Sequence, residues 1–121
     1  MTDLEKATIK IENNLIIVEF KENATIDREA ALSVTDAVSN MVENKTYGLI
    51  IDATKMHFIN NDARKHFGAR KNEHILATAL LITSAIQRSF ANLYLRFGKS
   101  TLETKLFTEE EKARNWLAQK L

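Results

Sequence analysis

Three aliphatic residues closed by an acid, Leu49-Ile50-Ile51-Asp52, leave this chain the fewest folds to choose from. A strand with one wet face alternates apolar and polar side chains. This run does not alternate, so both its faces must be covered and it belongs inside a sheet. A polar loop follows from Ala53 to Ile59, and Asn60 or Asn61 then opens an amphipathic segment with Ala63 and Phe67 turned inward. In open α/β sheets, ligands and partners gather beyond the carboxyl ends of such strands. Asp52 to Asp62 is therefore the stretch on which function is expected to sit.

The flanking sequence supplies the rest of the sheet. Ala7–Glu12 and Leu15–Phe20 read as strands joined by Asn13-Asn14, and asparagine tolerates the positive φ of a tight hairpin turn. Ile9 and Ile11 alternate with polar residues, as on an edge strand, whereas Leu15 to Val18 is more continuously apolar and should lie further in. Lys21 to Ile26 reads as a connector, and Asp27 is placed to cap a helix whose apolar face is Ala30, Val34, Ala37, Val38 and Met41. That helix should end near Glu43-Asn44. Strand, helix, strand in this order implies a right-handed crossover and parallel pairing.

Leu76 to Thr83 is the next buried strand. Ser84 with Gln87 forms a capping box ahead of a helix with Ile86, Phe90, Leu93, Tyr94 and Phe97 on one face, ending at Gly98. Thr104–Phe107 is a last short strand. Thr108 with Glu111 forms a second capping box for a closing helix whose inward stripe is Ala113, Trp116, Leu117 and Leu121, with Trp116 as a core anchor. The predicted order is β-β-α-β-α-β-α-β-α. This is an α/β fold with a mixed, mostly parallel sheet, an N-terminal antiparallel hairpin and four helices, in a single domain over 1–121.

Composition narrows the chemistry. With no cysteine, thiol catalysis, thiolate metal sites and disulfides are excluded. Lys+Arg 17 against Asp+Glu 16 gives a formal charge of +1, so no net field draws in nucleic acid or an anionic membrane. The basic cluster Arg64, Lys65, Arg70 and Lys71 reads as a solvated helix face. The charged start MTDLEKATIK has no apolar signal region and no stretch is long enough for a membrane span, which makes the cytoplasm the default expectation. His57, His66 and His74 stand at spacings that make no helical metal pair, and three glycines build no phosphate cradle, so no metal or cofactor is expected. His57 near Asp52 is a candidate acid–base group, but a lone histidine in a polar loop is more often simply solvated. Asp52 at a strand end is better suited to accept backbone hydrogen bonds that shape the loop. No catalytic constellation emerges, and an enzyme is the least favoured reading.

Assembled, the pattern resembles the STAS superfamily in its SpoIIAA-like, anti-sigma-factor-antagonist form, from Ala7 to Leu121. The resemblance is carried by Asp52 and Thr54 at the strand end, Ile59 at the apolar loop position and Asn60-Asn61-Asp62-Ala63 at the helix start. Leu106-Phe107-Thr108-Glu109-Glu110-Glu111 with Trp116-Leu117 adds to it. It implies a regulatory domain that meets a protein partner through Asp52, Thr54, His57, Asn60, Asn61, Asp62 and Arg64. Signalling members carry a phosphorylated serine or threonine at that helix start. Here Asn61 and Asp62 occupy the matching positions, and neither accepts a phosphoryl group as serine does. A second use of the fold, as a carrier of a small apolar ligand or lipid, is implied by the Sec14-type relatives. The broad face Ile86, Phe90, Tyr94 and Phe97 would serve it, or would serve a homodimer; the hairpin edge is another dimer candidate.

Overall fold

A computed structural model describes residues 1–69, 72–83 and 103–121. Its principal sheet has six strands: β1 (Thr2–Asp3), β2 (Ala7–Glu12), β3 (Leu15–Phe20), β5 (Tyr47–Asp52), β7 (Ile75–Leu81) and β8 (Thr104–Phe107), in the spatial order β1-β2-β3-β5-β7-β8. The pairs β1–β2 and β2–β3 are antiparallel, and β3–β5, β5–β7 and β7–β8 are parallel. A separate two-stranded parallel ladder joins β4 (Thr25–Ile26) to β6 (Phe58–Ile59). The described helices are α1 (Arg28–Met41), α2 (Asn61–Ala69) and α3 (Glu110–Lys120).

The mixed sheet and N-terminal hairpin are those the sequence predicts. Asn13 takes φ 57°, so the hairpin turns on an asparagine in the left-handed region, with Glu12 opposite Leu15. β5 sits centrally between β3 and β7. Asp27 caps α1 by accepting the Ala30 N–H at 2.9 Å on Oδ1. Three helices are described instead of four, because the helix expected through Ile86, Phe90, Tyr94 and Phe97 falls outside the described residues. Three short strands were not expected. β1 runs along β2 with Thr2 opposite Ile9, so part of the hairpin edge proposed for dimerisation is already paired. β4 and β6 bring order to stretches read as connector and loop.

Alternation along β3 and β5 sorts the core into two layers. Ile16, Val18 and Phe20 join Ile9 and the α1 residues Ala31, Val34 and Val38, with Ala63 of α2, on one side. Ile17 and Ile50 join Ala77 and Ala79 of β7 and Ala113 and Leu117 of α3 on the other. Helix α3 differs from expectation at its ends. Its N-cap is Glu109, without a side-chain capping bond, so the Thr108–Glu111 box does not form; Glu110 and Glu111 still place negative charge in the first turn. Trp116 is half-buried, its ring 5.6 Å from that of Phe107, and Leu121 is 37% exposed, so neither is enclosed as a core anchor would be.

One ion pair ties α3 to the hairpin. Arg114 Nη1 donates to Glu12 Oε2 at 2.7 Å. That hydrogen bond, with the attraction of the guanidinium, lowers the Glu12 carboxyl below its ordinary range. A lowered carboxyl stabilises the fold above its unfolded-state pKa, and the contribution is lost as the pH falls through the folded value. A carbon-detected NMR titration should therefore find Glu12 protonating at lower pH than in the Arg114→Gln variant. Identical titration in the two proteins would mean the pair is not formed in solution.

Candidate functional site

The rim above the carboxyl ends of β3, β5 and β7 is built from the loop between β5 and α2 together with the connector before α1. Asp52 ends β5 and folds the chain back on itself: its Oδ1 accepts the Thr54 N–H at 2.9 Å and the Thr54 hydroxyl at 2.6 Å. Both Thr54 donors are thereby committed to the Asp52 carboxylate, an Asx-type turn that fixes the first bend of the loop. The Ala53 N–H reaches across to Leu81 O at 2.8 Å, and Lys55 Nζ meets Glu19 Oε1 at 3.0 Å. The hydrogen bond and charge of Glu19 raise the Lys55 pKa, keeping it charged. Met56 then turns inward, buried, while His57 and Phe58 turn out.

From there the loop leans on the connector. His57 N–H donates to Ala24 O at 2.9 Å, Asn60 N–H to Ile26 O at 3.0 Å, and Asn23 N–H to Lys55 O at 2.9 Å. Asn23 holds φ 61°, the second left-handed asparagine of the chain, and so turns the connector towards the loop. Ile26 and Ile59 are buried side by side beneath this ladder, which places the start of α1 next to the start of α2. Of the two asparagines considered as the α2 cap, Asn60 fills the role, accepting the Ala63 N–H at 2.9 Å. Asn61 and Asp62 are left exposed on the first turn.

Seven residues were expected on this rim: Asp52, Thr54, His57, Asn60, Asn61, Asp62 and Arg64. They divide by role. Asp52, Thr54 and Asn60 shape backbone, whereas His57, Asn61 and Asp62 face outward. Arg64 donates to Asn61 Oδ1 at 3.2 Å, and its guanidinium lies 5.7 Å from the centre of the Phe58 ring, a cation–π arrangement. Partial burial lowers its pKa without threatening the charge. Sequence reading did not single out Phe58, the most exposed aromatic ring described, at 51%. The signal was there in part: an aromatic residue in a polar loop, between a histidine and a buried isoleucine. His66 lies apart from the rim surface, its Nε2 2.8 Å from the Thr35 hydroxyl of α1.

The Asp52 oxygen nearest a proton donor is occupied by Thr54, and among the described residues no group of three histidines or acids is placed to hold a metal. No described helix is long and apolar enough to cross a membrane. A recess of about 210 Å³ at the other end of the sheet is lined by Asn14, Leu15, Arg114, Ala118 and Leu121, and its one charged side chain, Arg114, is engaged by Glu12. The apolar face Ile86, Phe90, Tyr94 and Phe97 lies outside the described residues.

Residues 9–121 match the model of a family described as a domain of unknown function, DUF7793, and the chain belongs to that family. No curated protein matches it. Among solved structures it is similar to an uncharacterized DUF3478-family protein with a SpoIIAA-like fold from Shewanella loihica PV-4, with a TM-score of 0.62 and 14% identity over 97% of this chain and 98% of that one. It is also similar to an anti-sigma factor antagonist from Mycobacterium paratuberculosis, with a TM-score of 0.64 and 15% identity over 93% of this chain and 92% of that one. The fold is SpoIIAA-like.

Proposed function

We propose that this member of the DUF7793 family is a non-enzymatic regulatory module of STAS-like type that binds a protein partner through the Asp52–Asp62 loop and the start of α2. One observation carries the reading: Phe58 is held half in solvent, under the Arg64 guanidinium, on a loop whose backbone is tied down on both sides. An exposed aromatic ring beside an arginine, on a rigid support, is the composition of a binding hot spot. The fold shared with an anti-sigma factor antagonist supports a regulatory use of the domain. The first turn of α2 presents Asn61 and Asp62 where the resemblance places a phosphorylated hydroxyl residue. On this reading the contact is constitutive, with Asp62 contributing fixed negative charge, and operates in the cytoplasm.

The test uses immobilised wild-type protein and two variants, Phe58→Ala and the triple change His57→Ala, Asn61→Ala, Arg64→Ala. A polypeptide retained by the wild type from extracts of its own cells should be lost from both, with binding weakened by about ten-fold or more once the partner is purified. Thermal unfolding should stay within a few degrees of wild type, since all four side chains are at the surface or its margin. Equal retention by the variants, or loss only in variants that no longer fold, would refute the proposal.

A further inference from the structure

The loop that presents Phe58 is fastened to the connector, and the connector is fastened to the segment between β1 and β2. Two connector carbonyls serve the loop: Ala24 O takes the His57 N–H and Ile26 O takes the Asn60 N–H. Carbonyls of an extended strand alternate in direction, so the one between them, Thr25 O, faces away from β6. Lys6 meets it there, its ammonium donating to Thr25 O at 2.7 Å. The same segment takes a second hold one turn earlier. Lys21 N–H donates to Lys6 O at 2.9 Å, and Lys21 Nζ reaches Asp3 Oδ1 at 2.7 Å. Leu4 anchors the segment by packing on the core formed with α1.

We infer that Lys6 is a positioning residue for the recognition loop: by holding the outer carbonyl of β4, it keeps Thr25 in register with Phe58 and fixes how that ring is presented. The inference rests on the reading of this loop as a recognition surface. Thr25 is the residue paired with Phe58 in the ladder. Each strand of that ladder is two residues long, too short to hold its register without outside support. Lys6 supplies the support with a charge-assisted hydrogen bond, stronger than a neutral one. A loop already ordered in this way loses less freedom when a partner docks, which is how a residue away from the contact sets affinity.

Amide hydrogen exchange of the full chain alone, followed by NMR, tests this without a partner. Lys6→Met keeps the length and packing of the stem but removes the donor. In it the His57 and Asn60 amides should exchange about three- to ten-fold faster, while Ile16 and Val18 in β3 hold their wild-type protection. Lys6→Arg, which restores a cationic donor, should return both loop amides towards the wild-type rate; a role confined to stem packing would not distinguish Arg from Met in this way. Asp3→Asn weakens the second hold and should move the same two amides by less. Unchanged exchange at His57 and Asn60, or acceleration spread evenly through β3, would overturn the inference. Since no partner is present, that failure would leave the recognition reading to its own test, and loss of the recognition reading would leave the exchange result standing.

Discussion

Phe20→Ala is expected to destabilise the protein by about 3–5 kcal/mol, which for a chain of this length lowers the unfolding midpoint by roughly 10–20 °C. Phe20 ends β3 at 2% exposure, and its ring centre lies 6.2 Å from that of Phe67 on α2. Removing the ring takes away buried apolar surface and leaves a cavity beneath α2, whose first turn belongs to the proposed recognition surface. α2 is held in place by its packing along α1, so collapse around the gap can be only partial. The effect should therefore reach the site as well as the fold. In the same variant, the Ala63 and Arg64 amides should lose protection along with the core. Denaturant unfolding at equilibrium measures the first quantity. A loss under about 1 kcal/mol would show that Phe20 does not pack as a strut under α2.

Phe20 and its neighbours also show what could be read from the sequence. Period-two alternation along Leu15–Phe20 is enough to place Ile16, Val18 and Phe20 on one face, and the hairpin follows because Asn13 tolerates the left-handed backbone found there. The Asp27 cap needs only its own side chain and an amide three residues on. Thr108 makes the opposite case. Its pairing with Glu111 has the right spacing, yet the chain starts the helix one residue later and leaves that box unused, because tertiary packing decides where a helix end falls within a residue or two.

The rim proposed as the site was legible in its place in the fold but not in its construction. Asp52 marks the carboxyl end of a covered strand, and that alone locates the rim. Thr25, Ile26, Phe58 and Ile59 carry no periodicity that two-residue strands could show; they pair because Ile26 and Ile59 are buried together and their backbone must then find partners. The same logic hid Phe58 and Lys6. An aromatic residue in a loop has no sequence mark that says whether it turns in, as Met56 does, or out. A lysine that holds a carbonyl 19 positions away has none at all.

The packing of α3 on β5 gives the other large effect. Leu117 is fully buried on α3, and truncation to alanine should cost about 2–5 kcal/mol. Opposite it on β5 is Gly48, where a Cβ would lie 3.3 Å from Leu117 Cδ2, 3.3 Å from Leu121 Cδ1 and 3.1 Å from Leu15 Cδ2. The strand is extended at this point, so what favours glycine is space and not backbone angle. Gly48→Val should therefore cost about 1–3 kcal/mol by overpacking, even though valine suits a strand better than glycine. The two substitutions oppose one another in volume across a single contact. Made together, they should destabilise by less than the sum of their separate effects, with a coupling of about 0.5–2 kcal/mol, because the valine methyls enter the space that Leu117 vacates. Recovery would be incomplete, since Leu15 still crowds the same atom from the hairpin side. A double-mutant cycle by denaturant unfolding supplies all three quantities. Strict additivity would mean that α3 does not rest on Gly48 in solution, and that Leu117 draws its stability from Ile50, Ala77 and Ala79 alone.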